Sequence, residues 1–156
     1  MYLNNDQKFV AVLNRKIDTS RLMNALGHMT AGITSEIGIE APRFLRYLDA
    51  DGTAHPGIST YPFIVLRAEN SNQIRNLRSR AIEAGLAYTD FVDAMLGSSA
   101  EDQLARTKAR RESELEYFGI LLFGSAEELS PLTKRFSIFT DPKPSAMAES
   151  ASTPST

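Results

Sequence analysis

The chain of 156 residues has two histidines and no cysteine. That excludes thiol nucleophiles, Cys-ligated zinc, iron–sulfur clusters, disulfide scaffolds and any three-histidine metal site. His28 closes the run RLMNALGH, in which Arg21, Asn24 and His28 fall at i, i+3 and i+7. At roughly 100° per residue, Arg21 lies within about 20° of His28 and Asn24 about 40° from it, so the three form one polar stripe. The stripe is turned away from the apolar row Leu22, Leu26 and Met29. A cation, an amide and an imidazole beside a helix N-terminus suit anion binding and the positioning of a nucleophile. An ordinary solvated helix face has the same spacing and is commoner.

His55 lies in AHPGISTYP, where Pro56, Gly57 and Pro62 restrict the backbone, as at the mouth of a site or in a plain surface loop. Asp90 and Asp93, in TDFVDAM, stand near a strand end, where α/β sheets place functional groups and also turn and cap carboxylates. Arg67, Arg75, Arg78 and Arg80 make a basic cluster, without the aromatic or glycine-rich companions of a nucleic-acid or phosphate motif. No GxSxG, HExxH, GxGxxG or Walker pattern occurs, and no metal or cofactor is expected.

These groups have to be positioned by regular elements. FVAVLN, Phe9 to Asn14, is a continuous apolar run suited to a central strand. Asn14 and Lys16, at its end, join Asn24 and His55 as expected ligand-binding residues. Leu22, Leu26, Met29 and Ile33 predict a first helix ending near Gly32. Asp51-Gly52 predicts a hairpin within the Thr34–Tyr61 segment, and FIVLRA a second buried strand. In SNQIRNLRSRAIEAGL, Asn70 and Gln73 form a capping box, Ile74, Leu77, Ala81 and Ile82 an apolar stripe, and Gly85 a stop. AYTDFVDAM reads as a strand nearer an edge, Ser99–Arg111 as a charged helix, YFGILLFG as a strongly apolar strand, and EELSPLTKRF as a short helix with proline in its first turn. Strands separated by helices predict an α/β sandwich with a mixed sheet covered on both faces.

The last stretch, 141–156, is rich in Pro, Ser, Thr and Ala and is expected to be a disordered tail beyond a single α/β domain at 6–140. With 17 Lys and Arg against 19 Asp and Glu the formal charge is −2, and the tail's Asp141, Lys143 and Glu149 account for −1 of it. A near-neutral domain does not coat nucleic acid by bulk electrostatics. No apolar run approaches the roughly 20 residues of a membrane span, and the N-terminus lacks a signal pattern, so a cytoplasmic protein without membrane contact is expected.

KFVAVLNRKID, RLMNALGH, HPGISTYPFIVLRA, SNQIRNLRSRAIEAGL, AYTDFVDAM, ELEYFGILLFG and PLTKRFSIF together closely resemble the bacterial Domain of Unknown Function 2000 family, from about Lys8 to Phe139. That family in turn looks like the type 2 peptidyl-tRNA hydrolases in strand and helix order, which implies a three-layer α/β/α sandwich with a mixed sheet of about four strands, often paired as a homodimer. In that resemblance the hydrolases' helix histidine falls on His28, their lysine on Arg21, their glutamine on Ala25 and their strand-end aspartate on Asp93. Their following glycine-arginine-threonine is replaced by Met95, Leu96 and Gly97. The resemblance implies a hydrolase of an ester or acyl substrate, small or RNA-linked, in which His28 activates water, Arg21 binds an anionic group and Asp93 orients the constellation. The alternative is a non-catalytic module that binds a small ligand or nucleotide with the same residues and His55.

Overall fold

The computed structural model describes residues 6–140; the expected tail, 141–156, lies outside the described residues. In chain order the elements are β1 (Gln7–Asn14), α1 (Thr19–Ile37), β2 (Phe44–Leu48), β3 (Ala54–Ser59), β4 (Phe63–Ala68), α2 (Ser71–Glu83), β5 (Ala87–Val92), α3 (Ala100–Lys108), β6 (Tyr117–Ser125), α4 (Ala126–Thr133) and β7 (Ser137–Ile138). The main sheet has five strands in the order β5-β6-β1-β4-β7. Among the described residues only β1 and β4 run parallel; β1–β6, β5–β6 and β4–β7 are antiparallel. The strand beyond the expected four is β7, whose two residues are too few to show a period.

β1 is central because it is apolar on both faces, and Phe9 through Asn14 are all buried. Its side chains alternate. Phe9, Ala11 and Leu13 enter the core under α1, whereas Val10 and Val12 enter the core under α2 and α4. The sheet is thus covered on both faces, and each large side chain removed from water contributes about 1.5–3 kcal/mol. β4 is less enclosed than its composition suggests, since β7 pairs only with Leu66 and Arg67 and leaves Phe63 exposed.

On α1 the buried row is Leu22, Ala25, Met29 and Ile33, with Leu26 half-buried on its flank. The helix continues past Gly32. That glycine admits β5, because a Cβ there would meet Thr89 Cγ2 at 3.3 Å, and the helix stops instead at Gly38, with φ +86°. In α2, Asn70 accepts from the Gln73 backbone N–H at 3.1 Å, and the Gln73 side chain accepts from Glu69 N–H at 2.8 Å. Ile82 lies outside the buried row of that helix, on the solvent side. Pro131 sits in the second half of α4 rather than its first turn, where its missing N–H forgoes one intrahelical hydrogen bond.

The β2–β3 hairpin forms its own two-stranded sheet. Its turn is held by Asp49, whose carboxylate accepts from the Asp51 and Thr53 backbone N–H groups at 3.0 and 2.9 Å. Gly57 passes so close to β2 that an added Cβ would meet the Leu45 carbonyl oxygen at 2.6 Å. Gly57→Ala is therefore expected to unpair the hairpin while changing global stability by less than about 1 kcal/mol, since such two-stranded ribbons carry little of a domain's stability. Amide exchange over 44–59 checks this. Unaltered protection there would show that the strands absorb the methyl group. No helix among the described residues is long and apolar enough to cross a membrane.

Candidate functional site

Packing of Leu22, Ala25, Met29 and Ile33 onto the sheet orients everything else on α1. Asn24 and His28 sit about 100° to one side of that row and face the edge strand β5. Between them opens a cleft of about 460 Å³. Asn24, His28 and Gly32 form one wall, Thr89 to Phe91 the floor, and Met95, Leu96, Gly97 and Gln103 the far wall. The Thr89 hydroxyl donates to the Met29 carbonyl at 2.8 Å, pinning the edge strand to the helix. The His28 ring lies over Phe91 with centroids 6.0 Å apart and planes 31° from parallel.

The far wall is fixed by α3. Ser99 caps that helix, accepting from Asp102 N–H at 3.1 Å, and Asp102 in turn accepts from Ser98 N–H at 3.4 Å. Arg106 donates to the Leu96 carbonyl. These contacts close the loop over the end of β5 and bring Gln103 to the cleft, with its amide 3.5 Å from the Gly97 carbonyl oxygen. No pattern in the sequence marks Gln103 or Phe91 as a site residue. Gln103 lies in a charged helical run whose own pattern is purely structural, and only the fold carries it opposite Asn24.

The other expected groups do not converge here. Arg21 is exposed, with Nε 4.0 Å from Asp18 in the first turn of α1. Asn14 is a buried structural amide: it donates to the Tyr117 carbonyl at 3.0 Å and accepts from Lys16 N–H at 3.0 Å, so both ends of its amide are committed. Lys16 is exposed beside it, outside the cleft. His55 belongs to the hairpin, where Nε2 lies 3.0 Å from Asp49 and holds that carboxyl below the usual carboxylate range.

Asp93 opens a 3₁₀ turn after β5 and acts as a latch rather than lining the cleft. Its carboxylate accepts from Arg110 at 2.8 Å, from Glu116 N–H at 3.1 Å and from Ala94 N–H at 3.0 Å. Burial pushes the acid up, but Arg110 and the two backbone donors outweigh it and hold Asp93 below its ordinary value. Asp90 contributes to the cleft floor while its carboxylate pairs with Arg78 at 2.7 Å. Arg75 is bound to Glu112 at 2.9 Å and lies over the Tyr117 ring. Two arginines of the basic cluster are thus spent on structure. Among the described residues, no group of three or more His, Cys, Asp or Glu side chains comes together that could hold a metal ion.

Comparison with solved structures finds a protein of unknown function from Agrobacterium tumefaciens with the same fold. It has a TM-score of 0.75 at 14% identity, covering 86% of this chain and 98% of that one. Comparison with curated proteins gives no match. A family model described as protein of unknown function (DUF2000) matches residues 7–140. The chain therefore belongs to the DUF2000 family.

Proposed function

We propose that this protein is a small-ligand-binding module whose cleft takes an uncharged, planar, hydrogen-bonding heterocycle of the nucleobase type. The observation that carries this reading is the meeting in one cleft of two carboxamides, Asn24 and Gln103, and the His28 imidazole with the apolar side chains of Phe91, Met29 and Met95. A carboxamide offers a donor and an acceptor in one plane, the pattern a base edge presents in return. Aromatic and thioether surfaces hold the flat face of such a ring. Among the described residues no lysine or arginine lines the cleft, so a base or nucleoside fits it better than a nucleotide phosphate.

Hydrolysis of an ester would need His28 oriented by a carboxylate beside it. Asp93, the residue the resemblance to type 2 peptidyl-tRNA hydrolases puts in that role, spends its oxygens on Arg110 and two N–H groups. A transfer-RNA substrate would need a concentrated positive field, and Arg75 and Arg78 are already paired. These points favour binding over catalysis. The homodimer and the cytoplasmic setting belong to the same proposal, the former on the strength of that resemblance, and sedimentation reads the former directly.

Thermal denaturation against separate panels of free bases, nucleosides, nucleotides and amino acids tests the reading. A base or nucleoside at a hundred times its dissociation constant should add about 2.7 kcal/mol, or roughly 5–10 °C in a domain of this size. Shifts confined to amino acids, or no shift across the panels, would defeat it.

A further inference from the structure

The opposite flank of α1 borders a second cavity, about 350 Å³, beneath the base of the β2–β3 hairpin. Thr30 and Thr34 lie about 100° past the buried Met29 and Ile33, on the side away from Asn24 and His28, so one helix separates the two spaces. Four aromatic rings, Phe9, Phe44, Tyr61 and Phe63, wall the second cavity together with Pro42 and Ile58. Phe9 and Phe63 are nearly parallel, with centroids 5.5 Å apart and planes 20° from parallel.

Four hydroxyls border the space, and three of them, those of Thr30, Thr34 and Ser59, donate elsewhere. Thr30 donates to the Leu26 carbonyl at 2.7 Å, Thr34 to the Thr30 carbonyl at 3.1 Å and Ser59 to the Pro42 carbonyl at 2.5 Å. Among the described residues no charged side chain lines the cavity. Phe44 and Phe63 nevertheless remain 46% and 41% exposed, an unusual state for aromatic rings at a concave surface. The volume falls at the small end of ligand sites, roughly 300–1,000 Å³. An ion would find no counter-charge here and a sugar little beyond the Tyr61 hydroxyl to donate to it, whereas a flat apolar ring would cover the exposed phenylalanines in offset-stacked or edge-on contact.

The geometry points to a second site, independent of the α1–β5 cleft, that binds a neutral aromatic small molecule between α1 and the hairpin. The hairpin is its outer wall. A saturated acyl chain would also be apolar, but it would forgo the stacking that four rings provide.

N-phenylnaphthylamine, a neutral aromatic probe whose emission rises in apolar surroundings, tests this on the full chain. A saturable rise at one probe per chain is expected, with displacement by an unrelated neutral aromatic compound. Phe44→Glu, which sets a carboxylate at the cavity mouth, should weaken the probe at least about tenfold, while Leu48→Glu near the hairpin tip leaves it unchanged. Thermal melts of both variants establish that they fold. In the unmutated protein, methyl NMR should show probe-induced shifts at Thr30, Thr34 and Ile58 and none at Met95. The proposal is overturned by a non-saturable response, by equal binding to Phe44→Glu, by equal loss in Leu48→Glu, by shifts centred on Met95, or by displacement with a fatty acid alone.

Discussion

Replacing Asn14 by leucine should cost the fold about 2–4 kcal/mol and leave the affinity of the cleft unchanged. Leucine is close to asparagine in volume, so the substitution removes polar contacts without opening a large cavity. What it leaves behind is the Tyr117 carbonyl and the Lys16 N–H, each without the amide that served it. An orphaned buried polar group costs about 1–3 kcal/mol; the Tyr117 carbonyl is fully enclosed and the Lys16 N–H partly so. Urea denaturation measures the loss. Unchanged stability combined with weakened ligand binding would restore Asn14 to the ligand-binding role its position at the strand end suggested.

Asp93→Ala should cost about 1–3 kcal/mol at neutral pH, because it frees Arg110 and removes the acceptor for Ala94 N–H and Glu116 N–H. The pH dependence follows from the direction of its shift. Asp93 is held below its unfolded value, so its contribution is complete above the unfolded pKa and is lost as pH falls through the lower folded one. The stability gap between the parent protein and the variant should therefore be constant near neutrality and close below about pH 4. Denaturation curves at several pH values read this. A gap that persists undiminished into acid would mean that the carboxylate's charge plays no part in the latch.

Much of the framework is legible because local chemistry and tertiary demand agree. The apolar run at Phe9–Asn14 is buried on both faces, the Asp51-Gly52 turn closes a hairpin with Gly52 at φ +79°, and Gly85 ends α2 at φ +67°. The departures are places where another part of the chain decides. Gly32 looks like a helix stop but serves close contact with Thr89, which lets α1 run to Ile37. Ala25 rather than Leu26 enters the core, because a small side chain lets the helix approach the sheet.

The site was half legible for the same reason. Asn24 and His28 share a helix, and spacing alone puts them on one face. Their partners come from β5 and α3, more than sixty residues further along, and no local pattern announces that Gln103 will stand across from Asn24. The carboxylates and cations that looked most chemical, Asp93, Arg75 and Arg78, are held in structural ion pairs. An isolated sequence shows residue type, but whether a charged group is free depends on its neighbours in the fold.

Asn24 and Gln103 are proposed to read a planar ligand from opposite walls of one cleft. Titration calorimetry of the base or nucleoside that most stabilises the protein, with the parent, Asn24→Ala, Gln103→Ala and the double variant, tests it most directly. Each single substitution should weaken binding by roughly fivefold to tenfold, the worth of one hydrogen bond, and the double variant by more. Affinity in the double variant equal to that of the parent would contradict the account.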